Sequence, residues 1–69
     1  MYIIQVNGRF YYGENESNKS EYGYYMNKAK MFPSLDSAKE KGIELKTENK
    51  SSLVIVEKVM TQTVKVINI

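Results

Sequence analysis

No cysteine and no histidine occur among these 69 residues, and that pair of absences constrains the fold more than anything present. A disulfide is impossible, and a zinc staple loses its usual ligands. A chain this short buries only about 60% of the surface it exposes when unfolded, so natural domains of this size often add such staples. This chain must rely on a compact apolar core, on self-association, or on both. Its length makes one domain, residues 1–69.

The same absences narrow the chemistry. The commonest general base and the thiol nucleophile are both missing. Gly8, Gly13, Gly23 and Gly42 are isolated, so no phosphate-cradling loop can be drawn. Glu14 and Glu16 lie two apart in a polar stretch with nothing to hold them as an acid–base pair, and the ligand pattern of a calcium loop is absent. The expectation is a non-enzymatic protein with no catalytic residue, no cofactor and no metal.

Two β-prone runs, Tyr2-Ile3-Ile4-Gln5-Val6 and Arg9-Phe10-Tyr11-Tyr12, flank Asn7-Gly8. Asn-Gly accepts positive φ at both central positions, which suits a two-residue type I′ hairpin. That register sets Val6 opposite Arg9, Gln5 opposite Phe10, Ile4 opposite Tyr11 and Ile3 opposite Tyr12. Tyr2, Ile4, Val6 and Tyr11 then share one face; Ile3, Phe10 and Tyr12 share the other with Gln5. Both faces are partly apolar, so one packs on the core and the other is a candidate contact surface.

Residues 13–21 carry no apolar side chain and read as a solvated loop. Tyr22-Gly23-Tyr24-Tyr25-Met26 reads as a third strand, weakened or bulged at Gly23. A turn or single helical turn follows at Asn27-Lys28-Ala29-Lys30. Pro33-Ser34-Leu35-Asp36 opens a helix with Ser34 as N-cap and Asp36 in the first turn, where a negative charge suits the helix dipole. Leu35, Ala38, Gly42 and Leu45 form its apolar stripe with Ile43 alongside, and the helix fades near residues 47–49. Gly42 on that stripe predicts a close approach to the sheet. Leu53-Val54-Ile55-Val56 lacks polar alternation and reads as a central strand, and Val59 and Met60 extend it. Residues 53–69 make one bent strand or a second hairpin. The fold class is therefore α+β, an antiparallel β-β-β-α-β sheet with one helix on one face and room for a further strand. The apolar terminal run Val66-Ile67-Asn68-Ile69 predicts an exposed edge and, through it, a homodimer.

Ten Lys or Arg against eight Asp or Glu leave a net charge of +2. The basic residues concentrate in the middle, where Lys28, Lys30, Lys39, Lys41, Lys46 and Lys50 intersperse with acids. That balance suits neither a nucleic-acid binder with a basic face nor an acidic DNA mimic. The opening run has no basic leader and no long apolar stretch, so the expectation is a cytoplasmic protein with no membrane partner.

All six tyrosines fall within the first 25 residues. A core this small cannot bury them all with their hydroxyls satisfied. Amphipathic sheet residues with wet hydroxyls explain many of them. A rigid aromatic contact patch is the functional reading, because tyrosine offers large contact area at low entropy cost. Its candidate partner-binding residues are Tyr12, Tyr24 and Tyr25, with Arg9 nearby at the hairpin end.

The string over residues 27–38 resembles a pattern in small uncharacterised phage and prophage proteins of Gram-positive bacteria. There, a hairpin similar to residues 2–13 precedes a K-A-x-x-F-x-S-x-x-x-A segment and a final strand. The matching positions are Lys28, Ala29, Phe32, Ser34 and Ala38. The resemblance implies an accessory phage protein acting in the host cytoplasm on a host or defence protein, and it carries no functional residue with it. The expected function is inhibition or redirection of such a protein by occlusion, through the tyrosine-rich face or by edge-strand pairing. A single-stranded nucleic-acid binder, with tyrosines stacking bases beside Arg9, Lys28 and Lys30, is the alternative. A self-associating structural dimer is a third.

Overall fold

A computed structural model describes residues 1–50 and 53–59. Among these residues, four antiparallel strands run in the order β3-β2-β1-β4, and one helix packs on the sheet. They are β1 (Tyr2–Val6), β2 (Arg9–Glu14), β3 (Ser20–Gly23) and β4 (Val54–Lys58), with a 3-10 turn at Met26–Lys28 and helix α1 at Leu35–Glu48. The α+β class read from the sequence is the class observed.

Asn7 and Gly8 both take positive φ, 53° and 81°, as a type I′ turn demands. Val6 pairs with Arg9 and Gln5 with Phe10, matching the expected register at the turn. Beyond Gln5 the expected pairs of Ile4 with Tyr11 and Ile3 with Tyr12 give way to a different arrangement. Residues 30–32 enter between the two strands. The Lys30 N–H donates to the Tyr11 carbonyl (2.9 Å), and Tyr2 and Phe32 exchange both backbone hydrogen bonds (2.9 and 2.8 Å). The wedge satisfies backbone groups that β1 and β2 turn towards each other, and it delivers the Phe32 ring to the core.

Ile4, Val6, Tyr11, Phe32, Ala38 and Leu45 form that core, between the sheet and α1. The Tyr11 and Phe32 rings stack with centroids 6.4 Å apart. Ser34 caps the helix as expected, its hydroxyl accepting from the Ser37 N–H at 3.1 Å. Ala38, Gly42 and Leu45 are buried, whereas Leu35 and Ile43 are exposed. The buried stripe is thus narrower than the periodicity suggested, because a four-stranded sheet this small meets only the middle of the helix. A methyl group placed on Gly42 would lie 3.6 Å from both Val54 Cγ1 and Val56 Cγ2. The predicted close approach is real, and it is to β4.

Two strand assignments change. The third strand is Ser20–Gly23, two residues earlier than expected, so Tyr24, Tyr25 and Met26 lie outside it. Gly13 is the cause. At φ 108° it forms a bulge after Tyr11, and the ladder resumes as Gly13–Glu21 and Glu14–Ser20. The bulge turns Glu14 towards α1, where it meets Lys41 at 3.2 Å. The polar loop shrinks to residues 15–19, tied by the Asn15 side-chain oxygen, which accepts from the Ser17 and Lys19 N–H groups. Second, β4 is an edge strand among the described residues and β1 is interior. The unbroken apolar run in β4 reflects a strand apolar on both faces, with Val54 and Val56 under the helix and Ile55 opposite and exposed. The Val59 N–H extends the β1–β4 pairing by donating to the Met1 carbonyl. Met60, the choice between one bent strand and a hairpin, and the apolar terminal run all lie outside the described residues.

Candidate functional site

Residues 24–31 leave the end of β3, make the 3-10 turn and return as the wedge. Their side chains are the most conspicuous apolar surface on this side of the molecule. Tyr24 is 76% exposed and Tyr25 64%, and Met26 and Met31 are exposed with them. β-prone side chains stand in water here because the backbone that carries them has turned out of the sheet.

That backbone is held firmly. The Tyr12 hydroxyl accepts a hydrogen bond from the Tyr25 N–H at 2.9 Å. The Tyr12 ring lies across Gly23, in space where a side chain at that position would overlap the ring and hydroxyl. The 3-10 turn closes through Lys28 N–H to Tyr25 C=O and Ala29 N–H to Met26 C=O. Ala29 is buried, and the Lys30 and Phe32 bonds anchor the far end. A segment clamped at both ends presents its side chains with little ordering left to do on binding.

The four sequence candidates are thereby sorted. Tyr12, Tyr24 and Tyr25 come together, but Tyr12 serves as the clip beneath the other two. Arg9 does not join them. It pairs with Val6 and so lies on the helix side of the sheet, its guanidinium 5.2 Å from the centre of the Tyr22 ring. The expected neighbourhood of Arg9 and Tyr12 fails because strand residues of opposite parity point to opposite faces. Of the segment's own cations, Lys28 Nζ lies 5.4 Å from the Tyr25 centroid, whereas Lys30 Nζ lies 5.9 Å from the centroid of the buried Phe32. Met26 and Met31 complete the surface and were missed, since two isolated methionines in a turn carry no periodic signal.

The helix side is built differently. Lys41 bonds Glu44 at 3.0 Å and Glu14 at 3.2 Å, joining α1 to β2. The hydrogen bond to Glu44, and after it the one to Glu14, hold the Lys41 ammonium well above the usual lysine range despite its burial. Burial also raises the Tyr11 phenol above its ordinary value of 10.0. Asn49 caps the helix end and donates to the Tyr22 hydroxyl at 3.1 Å. Lys41, Glu14, Glu44, Asn49 and the Tyr22 hydroxyl each have a partner within the fold.

No known family, curated protein or solved structure matches this chain. Among the described residues, no helix is long and apolar enough to cross a membrane.

Proposed function

We propose that this protein acts without catalysis by binding another protein through residues 24–31, with Tyr24, Tyr25, Met26 and Met31 as the contact surface. One observation carries the reading: four large apolar side chains stand exposed on a backbone pinned from below by Tyr12 and from its far end by the wedge. Tyrosine and methionine are enriched at protein interfaces, and rigid presentation lowers the cost of association. The resemblance to phage accessory proteins makes a host or defence protein the class of target, inhibited or redirected by occlusion.

The test is recovery of partners from host lysate by the wild-type chain and by a Tyr24→Ala/Tyr25→Ala variant. Both rings are exposed and neither closes the core, so the variant keeps the wild-type far-ultraviolet spectrum. Partner recovery should fall at least tenfold, as when hot-spot residues are removed. A folded variant that recovers the same partners as well as wild type overturns the reading.

The placement of Lys28 beside Tyr25 favours a second reading, in which Tyr24 and Tyr25 stack unpaired bases and Lys28 meets a phosphate. It requires salt-sensitive binding of a labelled single-stranded oligonucleotide. A flat anisotropy titration at low salt removes it.

A further inference from the structure

On the opposite edge of the sheet, α1 and β4 enclose a groove of about 370 Å³ lined by Lys39, Gly42, Ile43, Lys46, Val54 and Val56. Its apolar floor is Val54 and Val56. Ile43, 68% exposed, overhangs it. Lys39, Ile43 and Lys46 follow one another at helical spacing, so an isoleucine sits between two ammonium groups along one stripe. Neither lysine is ion-paired among the described residues.

The backbone beside the groove is equally open. The Leu53 carbonyl accepts from the Asn7 N–H and the Val59 N–H donates to the Met1 carbonyl. Odd-numbered residues of this segment therefore turn their backbone groups to β1. Alternation then turns the N–H and C=O of Val54, Val56 and Lys58 away from it, towards the side where no strand pairs with β4 among the described residues. An extended chain laid there would gain a ladder of hydrogen bonds. Its side chains opposite Val54 and Val56 would point to the helix side, beneath Ile43.

We infer that the α1–β4 groove takes an extended acidic peptide as a fifth strand, with the alternating pattern acid-x-apolar-x-acid. Charge complementarity selects that occupant. Lys39 and Lys46, seven helical residues apart, are separated by about 10 Å along the axis. Acids four residues apart on one strand face are separated by about 13 Å, a difference the flexible lysine side chains span. The apolar residue midway fills the groove between Val54, Val56 and Ile43. A second copy of the chain would bring two more lysines to the same place. The inference rests on the reading that this protein binds proteins, and it adds a separate surface and a peptide class.

The probe is the capped peptide Thr-Glu-Thr-Val-Thr-Glu-Thr against its analogue with lysine for glutamate, titrated into the isotope-labelled full chain and followed by amide shifts. The acidic peptide should shift Val54, Val56, Lys58 and Ile43, bind at least tenfold tighter than the lysine analogue, and weaken with salt. In a Lys39→Glu/Lys46→Glu variant the preference should reverse, and binding of the lysine analogue shows the variant to be folded. Equal binding of both peptides, no shifts, or an unchanged preference in the variant overturns the inference. So does exchange protection of the Val54, Val56 and Lys58 amides without peptide. Protection independent of concentration assigns the edge to the chain itself, and protection that grows with concentration assigns it to a second copy. Failure here leaves the Tyr24 and Tyr25 result untouched, because that experiment reads the other edge of the sheet.

Discussion

Two glycines mark the contrast between the wedge side of this sheet and its groove side. Gly23 is filled from outside: the Tyr12 ring occupies the space a side chain would need. Gly42 lies close to β4 but leaves room for one methyl, which would meet the nearest valine methyls at ordinary contact distance. The wedge side inserts Phe32 and buries Ala29, and so fixes the backbone on which Tyr24, Tyr25, Met26 and Met31 stand exposed. The groove side leaves Ile43, Leu53 and Ile55 exposed. Absence of a side chain thus means a space already filled in one place and room for a methyl in the other. Only the surroundings of the residue tell them apart.

The contrast breaks most visibly at Phe32. Phe32→Ala removes the ring that the wedge carries inward and should cost about 3–5 kcal/mol. Domains of this size hold only about 0.05–0.15 kcal/mol per residue, so the variant should lose a third or more of its stability, read as a urea midpoint far below that of wild type. A cooperative urea transition close to wild type would show that the wedge is dispensable.

Gly23→Ala comes next. The added methyl must displace the Tyr12 ring and break its bond to the Tyr25 N–H, at an overpacking cost of about 1–3 kcal/mol. In a Tyr12→Ala background the same substitution should cost far less, and a double-mutant cycle measures the coupling. An additive cycle would mean that Tyr12 does not clip the segment.

At Gly42 the sign reverses. Alanine adds contact with Val54 and Val56 without overlap and removes the helix penalty of glycine, so Gly42→Ala should stabilise the fold by about 1 kcal/mol. A loss of stability would mean that Val54 and Val56 cannot accommodate the added methyl.

The smallest effect lies in alkali. Tyr11 and Lys41 both have folded pKa values raised above their ordinary 10.0 and 10.5. The folded chain therefore holds more protons than the unfolded chain above about pH 10, so stability is fully present below that pH and falls as pH rises through the folded values. Lys41→Met should remove part of this slope in urea titrations between pH 9 and 11, measured at about equal stability near neutrality. An unchanged slope would exclude the Glu14–Lys41–Glu44 link as its source.

Much of the fold was legible in the residues. Asn7-Gly8 announced its turn through the φ values it tolerates, Ser34 announced its helix, and the spacing of Ala38, Gly42 and Leu45 marked the buried stripe. These are short-range signals, set by steric limits and hydrogen bonds within a few residues. The third strand was misplaced because Gly13 acts through its φ, and a single bulge shifts the ladder beyond it. β4 was taken as interior, whereas among the described residues it is an edge, because an apolar run looks alike whether a second strand or a groove lies beside it. The site was legible only in type: surplus tyrosine pointed to a contact surface, but which rings face water and which one serves as a clip did not follow.

Alone, the sequence determined an α+β domain without cross-links, the hairpin turn, the helix and its cap, and a chain poor in reactive groups. Tertiary structure decided the rest: the wedge of residues 30–32 between β1 and β2, the Tyr12 clip over Gly23, the separation of Arg9 from the tyrosines, and the groove at β4. The reason is range. Turns and caps are settled by neighbours along the chain, whereas strand insertion and ring-over-glycine packing depend on which distant residues arrive together. In so small a core those meetings turn on single side chains.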